Sequence, residues 1–203
     1  MKIICVGLNY RRHAAEMGRP LPPEPMIFLK PDSALLKKNK PFFIPDFSMN
    51  LQFEAEVVLR ISKLGKGIAA KYADRYYDAL TVGIDFTARD LQHKFSQAGH
   101  PWELSKTFDG SAPLGTFIPA ERFPDHSDIS FSLEINGETR QEGNTSDLVF
   151  GFADIIEYVS KFYTLKTGDL IFTGTPSGVG QVKKGDNLVA RLAGETVLDF
   201  FVR

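Results

Sequence analysis

Three carboxylates interrupt two otherwise apolar stretches of the chain. In FEAEVVLRI (Phe53–Ile61) the odd positions are apolar, so the period of two argues a strand with one buried face, and Glu54 and Glu56 share the other face. Their backbones lie about 7 Å apart along such a strand. At an effective dielectric of about 20, two unit charges at that distance repel by roughly 2 kcal/mol. Either water or a cation must offset that repulsion. Asp85 sits within LTVGIDF (Leu80–Phe86), where an ionised carboxylate is costly unless paired or metal-bound. Read singly, Glu54 and Glu56 form a solvated strand face, and Asp85 is a strand-end residue bonded to a nearby N–H. Read together on adjacent strands, the three form an all-oxygen site suited to a hard divalent ion such as Mg2+, Mn2+ or Ca2+, with positions left open for substrate or water. Spacing alone does not choose between these readings.

Other residues could serve such a site. His13 and Glu16 in NYRRHAAEMG lie three apart, so on a helix they share a face and can hydrogen-bond. A carboxylate behind an imidazole fixes its tautomer and raises its basicity, which suits a water-activating base. The same pair also fits the surface of a helix beside a proline-rich arm. TGTPSGVG (Thr173–Gly180) offers backbone N–H groups and hydroxyls in a loop of the kind that binds carboxylates or phosphates, or it is simply a turn between strands. It lacks the Lys-Ser/Thr ending of a nucleotide-binding P-loop. Lys30 in FLKP and Lys106 in SKTFDG are isolated cations in largely uncharged surroundings. Either could hold an anionic substrate, whereas a lone lysine commonly snorkels to solvent.

The elements that must position these residues are mostly strands. MKIICVGLNY reads as a first buried strand and lacks the apolar length and cleavage site of a signal peptide. A polar segment with helical spacing follows at about Arg11–Met17, then GRPLPPEP. The prolines from Pro20 to Pro31 forbid regular structure, so residues 10–25 are expected to form an arm able to close as a lid. Ala70–Leu80 is amphipathic, LTVGIDF reads as a strand, and TARDLQHKFSQAG as a helix capped by Thr87. ISFSLEINGETRQEG alternates around Asn136-Gly137, a two-residue hairpin signal. DLVFGFADIIEYVSKFYTL carries one helix with Ile155, Ile156, Val159 and Phe162 on one face. From Lys166 onward come short strands punctuated by Gly168-Asp169 and Gly185-Asp186. Many short strands, few helices and no βαβ rhythm favour an α+β, β-rich fold over a doubly wound one.

Bulk composition narrows the function classes. At 203 residues, with 43% hydrophobic and 24% charged content, the chain fits one globular domain spanning 1–203. A net charge of −1 provides no basic stripe for nucleic acid, and the apolar runs are strand-sized, so no membrane partner is expected. Cys5 is the single cysteine, which excludes an intrachain disulfide and fits a reducing cytoplasm; its apolar strand makes it a core residue.

In their order along the chain, NYRRHAAEMG, FLKP, FEAEVVL, GIDFTARDLQ, SKTFDGSAPLG and TGTPSGVG resemble the motifs of the fumarylacetoacetate hydrolase family. The resemblance runs from about Cys5 to Arg203. It is strongest to the short, single-domain members related to acylpyruvate hydrolases and oxaloacetate decarboxylase/tautomerases. It implies a rolled mixed β-sheet with a few peripheral helices, in a protein that is usually a homodimer. It also implies Mg2+ or Mn2+, with Ca2+ as a substitute, held by the residues matching Glu54, Glu56 and Asp85. His13 and Glu16 match a dyad on a lid that orders when ligand binds, and with Lys106 they take the catalytic positions. Lys30, Arg89, Gln92 and Thr175 match positions that line the substrate pocket.

The substrate so implied is a small 2-oxo acid that chelates the ion through its carboxylate and keto oxygen, the ion stabilising the enolate formed when a bond at the third carbon breaks. Acylpyruvate hydrolysis, oxaloacetate decarboxylation and keto–enol tautomerisation all fit one such site. Hydrolysis needs His13 and Glu16 to activate water, whereas tautomerisation needs them only to move a proton. Two alternatives stand beside this reading: an isomerase of aromatic catabolism acting on 2-hydroxyhepta-2,4-diene-1,7-dioate, and a non-catalytic metal-binding subunit. The intact His13, Glu16 and Lys106 argue against the second. The chain departs from its relatives in two places. Gln52 and Phe53 precede Glu54 where many relatives carry histidine, and HKFSQAGHPWEL, expected to border the pocket, matches no specificity signature.

Overall fold

The computed structural model describes residues 1–37 and 39–203. Apolar tracts from distant parts of the chain meet in a mixed six-stranded sheet. Its order is β2 (Met26–Lys30), β1 (Ile3–Gly7), β12 (Leu170–Phe172), β5 (Ala55–Ile61), β6 (Tyr77–Ile84) and β9 (Ile118–Pro119). Every pairing in it is antiparallel except β1 with β12. A four-stranded antiparallel sheet runs β11 (Glu138–Asn144), β10 (Ser130–Ile135), β14 (Asn187–Leu192) and β15 (Glu195–Phe201). Two small sheets complete the strands: β13 (Gly180–Gln181), β4 (Leu51–Phe53) and β7 (Thr87–Ala88), and the pair β3 (Leu35–Leu36) with β8 (Ala112–Pro113). The α-helices among the described residues are α1 (Arg11–Glu16), α2 (Arg89–Gln97) and α3 (Phe152–Phe162). The architecture is α+β and strand-rich, as the sequence leads one to expect.

The turn chemistry explains several boundaries. Asn136 and Gly137 both take positive φ, 54° and 80°, which is what a type I′ hairpin requires, and they join β10 to β11. The amphipathic tract Ala70–Leu80 divides, with a 3-10 turn over Ala70–Arg75 and then the start of β6 at Tyr77. Thr87 does not cap α2. It lies in β7, its hydroxyl donates to the Asp85 carbonyl, and Ala88 occupies the cap position.

The largest departure concerns FEAEVVLRI. It is not one strand with a solvated face: β4 ends at Phe53, β5 begins at Ala55, and β5 is covered on both sides. Val57, Leu59 and Ile61 join the main core, while Val58 on the opposite face packs with Ile3, Cys5, Leu170 and Phe172. The second apolar layer puts the side of the strand carrying Glu56 in the interior. Cys5 is buried within that layer, as expected of a core residue.

α3 packs by Ile155, Ile156 and Val159, all fully buried, but Phe162 is 61% exposed. The helix ends at Phe162, whose ring leans on Tyr158 with centroids 5.3 Å apart instead of entering the core. The two positions should therefore respond differently to truncation. Ile156→Ala is expected to cost about 2–5 kcal/mol and Phe162→Ala no more than about 0.5 kcal/mol. Urea unfolding of both variants checks this, and equal losses would contradict the packing described.

Candidate active site

The break between β4 and β5 places Glu54 where the chain passes from one sheet to another. Across from it, β6 ends at Ile84, and the Asp85 amide donates to the Glu54 carbonyl at 2.8 Å. Glu56 faces Gly83 in the β5–β6 ladder. These pairings gather Glu54, Glu56 and Asp85 until ligand oxygens from all three lie within 4.8 Å of one another. The residues are only 5%, 2% and 1% exposed. They do not stand on a solvated strand face.

Cations of the protein offset much of the repulsion. Lys106 Nζ donates to Glu54 Oε2 at 2.7 Å and to Asp85 Oδ2 at 2.6 Å. Arg89 Nη2 donates to Glu54 Oε1. Burial alone would raise the Glu54 carboxyl, but the Lys106 ammonium and the Arg89 guanidinium hold it well below the usual carboxylate range. Burial likewise opposes the Lys106 charge, yet Asp85 and Glu54 push its ammonium above the ordinary lysine value, so it stays protonated as a donor. Glu56 is placed differently. Its Oε2 accepts the Gly174 amide at 2.8 Å, and among the described residues no lysine or arginine pairs with it. Burial, with the charges of Asp85 and Glu54, raises its carboxyl well above the ordinary value.

Lys30 is buried beside the triad rather than in contact with the cavity. Its Nζ donates to the Lys106 carbonyl, to Ser111 Oγ at 3.0 Å and to the Ser111 carbonyl at 3.2 Å, and lies 2.7 Å from Asp85 Oδ1. That last contact is an ion pair without hydrogen-bond alignment, so Asp85 Oδ1 remains a buried oxygen with no hydrogen-bond partner.

A cavity of about 780 Å3 opens onto the triad, and His13, Arg89, Gln92, Lys106 and Thr175 line it with the three carboxylates. His13, on α1, is buried and its Nδ1 contacts Glu16 Oε2 at 3.1 Å. With Glu16 ionised the proton of that contact sits on Nδ1, and Nε2 is the ring nitrogen left to accept another. Glu16 Oε1 accepts the Gly178 amide at 3.1 Å, tying α1 to the TGTPSGVG loop. Arg89 is held on three sides: Nε to Gln52 at 2.8 Å, Nη1 to Gln92 at 2.5 Å, and Nη2 to Glu54. Thr175 spends its hydroxyl proton on the Ala55 carbonyl at 2.8 Å. His93, Ser96 and Gln97 of α2, together with Trp102, form another part of the wall, so HKFSQAGHPWEL does border the cavity.

Sequence reading passed over Ser111, Gln52 as the partner of Arg89, and Gln141. Each is an uncharged polar residue whose partner is remote in sequence, and only the fold reveals it. The site residues fit a divalent cation. The donors are all carboxylate oxygens, one buried oxygen lacks a hydrogen-bond partner, and Glu56 carries no counter-charge of its own. Chemically, the arrangement joins a carboxylate cluster fit for a cation, a protonated lysine and an imidazole–carboxylate pair around one cavity.

Known proteins resemble the chain over nearly its whole length. The mitochondrial oxaloacetate tautomerase FAHD1 of Bos taurus is 40% identical over 200 residues, covering 98% of this chain and 90% of that protein. The oxaloacetate tautomerase YcgM of Escherichia coli is 40% identical over 197 residues, covering 97% and 90%. The crystal structure of fumarylpyruvate hydrolase from Pseudomonas aeruginosa in complex with Mn2+ and pyruvate superposes with a TM-score of 0.93 at 36% identity, covering all of this chain and 89% of the other. No helix among the described residues is long and apolar enough to cross a membrane. The family model described as fumarylacetoacetate (FAA) hydrolase C-terminal matches residues 2–202, and the chain belongs to that family of enzymes.

Proposed function

We propose that the protein is a divalent-cation-dependent enzyme of small 2-oxo acids that moves a proton at the third carbon, with keto–enol tautomerisation of oxaloacetate as its reaction. The observation that carries this reading is one cavity shared by the carboxylate triad, protonated Lys106 and the His13–Glu16 pair. Glu54, Glu56 and Asp85 would hold Mg2+ or Mn2+, which supplies Lewis acidity toward the carboxylate and keto oxygens of the acid. Lys106 and Arg89 bring positive charge to the place where negative charge grows on the keto oxygen. His13 Nε2 takes the proton from the third carbon as the C–H electron pair forms the C2=C3 bond, and returns it to the former keto oxygen, while Glu16 keeps the ring in the tautomer that leaves Nε2 free. Thr175 and Gln92 line the same cavity, and the Gln92 amide, whose oxygen holds Arg89, has its Nε2 donors left for the acid. Lys30 supports the site from behind instead of touching the substrate, because its donors are committed to the Lys106 carbonyl and Ser111 and its charge to Asp85. The likeness to two oxaloacetate tautomerases at 40% identity supports this choice of reaction.

A second reading, cleavage of an acylpyruvate by water activated at His13, is favoured by the cavity volume of about 780 Å3, far more than a four-carbon acid fills. The likeness to fumarylpyruvate hydrolase supports it too. In either reading residues 10–25 act as a lid that carries His13 and is latched by Glu16 on Gly178.

With saturating Mn2+, the wild type should accelerate exchange of the C3 protons of oxaloacetate, and His13→Ala should lose about 10²–10⁴-fold of that rate. No acceleration by the wild type, combined with turnover of fumarylpyruvate, would replace tautomerisation by hydrolysis. Glu56→Gln should weaken Mn2+ binding by at least about tenfold in a calorimetric titration; unchanged affinity removes Glu56 from the ion. Oxalate, a stable mimic of the chelating head, should slow amide exchange in residues 10–25, and no change at saturation would remove the lid.

A further inference from the structure

The two glutamates flank Ala55, and the way this residue is held is unlike the rest of β5. In the β5–β12 ladder Arg60, Leu59 and Val58 pair with Leu170, Ile171 and Phe172. The Thr173 amide continues the pattern by donating to the Val57 carbonyl at 3.1 Å. The same register would bring Thr175 opposite Ala55. Gly174 prevents a regular continuation, because it turns at φ +104°, and a Cβ there would stand 2.7 Å from the Asn9 Cβ. The backbone rungs at Ala55 are thus lost, and side chains replace them. Thr175 Oγ1 donates to the Ala55 carbonyl at 2.8 Å, and the Ala55 amide donates to Gln141 Oε1 at 2.9 Å. Gln141 Nε2 donates to Thr175 Oγ1 at 2.8 Å, closing a ring, and to the Pro176 carbonyl at 2.9 Å.

Gln141 comes from the other main sheet. It is 1% exposed, the one buried residue of β11. The β10–β11 register slips just beside it, pairing Leu133 with Gln141 but Glu134 with Thr139, so Arg140 is the extra residue of a bulge. Bulges re-aim neighbouring side chains. Gly178 seats the loop on that bulge, since a Cβ there would lie 2.4 Å from the Arg140 carbonyl. An amide side chain suits the position because it offers an acceptor and two donors together, and all three are used here.

We propose that Gln141 is a positioning residue for the cation site: through the ring with Thr175 and both peptide groups of Ala55, it sets the spacing and aim of the Glu54 and Glu56 carboxylates. The proposal rests on the reading of the triad as a cation site. Residues that orient metal ligands typically cost about 10–100-fold in affinity when removed. Gln141→Leu should therefore weaken Mn2+ binding by about that factor and change the electron paramagnetic resonance spectrum of the bound ion, with the circular dichroism of the wild type. Thr175→Val should do the same, and the double variant should lose little more than either single one, because either change opens the ring. Ser160→Ala, which removes an equally buried bond to the Ile68 amide, should lower thermal stability and leave Mn2+ affinity unchanged. Should Gln141→Leu not fold, Gln141→Glu keeps the acceptor, loses the donor and reads the same step. Wild-type affinity and spectrum in the Gln141 variant, or losses that multiply in the double variant, would overturn the proposal. If the wild type itself binds no Mn2+, the cation reading fails and the proposal falls with it, whereas Mn2+ binding that is equal in wild type and Gln141→Leu overturns the proposal alone.

Discussion

Three like charges gathered within 4.8 Å in a buried place can coexist only if opposite charge or hydrogen-bond donors surround them. Much of the molecule near the site can be read as the answer to that requirement. Lys106 bridges Glu54 and Asp85, Arg89 takes the remaining oxygen of Glu54, and Lys30 stands behind Asp85. Each of these cations then needs support of its own. Arg89 is steadied by Gln52 and Gln92, and Lys30 by Ser111 and the Lys106 carbonyl. The compensation is uneven. Glu56 receives a single backbone amide, and this asymmetry is what an added cation would complete.

The site lies where regular pairing gives out. β4 hands over to β5 at Glu54, β6 ends at Ile84 just before Asp85, and the chain after Phe172 turns away at Gly174. Strand ends expose backbone groups that need partners, and here side chains and turning amides provide them. The same irregularity frees the Gly174 amide to reach Glu56 and brings the loop to Gly178, where it meets Glu16. Regular sheet supplies stiffness, and the interruptions supply the donors.

Sequence alone carried a good part of this. The triad, the His13–Glu16 pair and Lys106 stood out because charges in apolar or uncharged tracts, or at helical spacing, are conspicuous, whereas Arg89 came only from the family resemblance. The Asn136-Gly137 hairpin was legible because so few residues accept positive φ. What could not be read was the covering of β5 on its second face, since that depends on β1 and β12 arriving from remote parts of the chain. Lys30 looked like a substrate-facing cation for the same reason: its partners Ser111 and Asp85 lie 81 and 55 positions away (111 − 30 and 85 − 30) and nothing local announces them. Phe162 kept the helical period of the buried face, but periodicity does not tell where a core ends. Gln141 left no signal at all, because an amide in a polar hairpin looks like every other surface residue until the bulge at Arg140 turns it inward.

β12 is only Leu170–Phe172, yet it lies between β1 and β5 in the central sheet. A chain emerging from the ribosome has both neighbours of this strand long before it has the strand itself. Until Phe172 is free, β1 and β5 each present an unpaired edge, and edges of that kind invite pairing with other chains. The carboxylate triad is synthesised early but receives the Gly174 amide only after that late insertion. The surroundings of the triad thereby wait for β12 to be made, and a chain stopped before this point leaves both edges unpaired and prone to association.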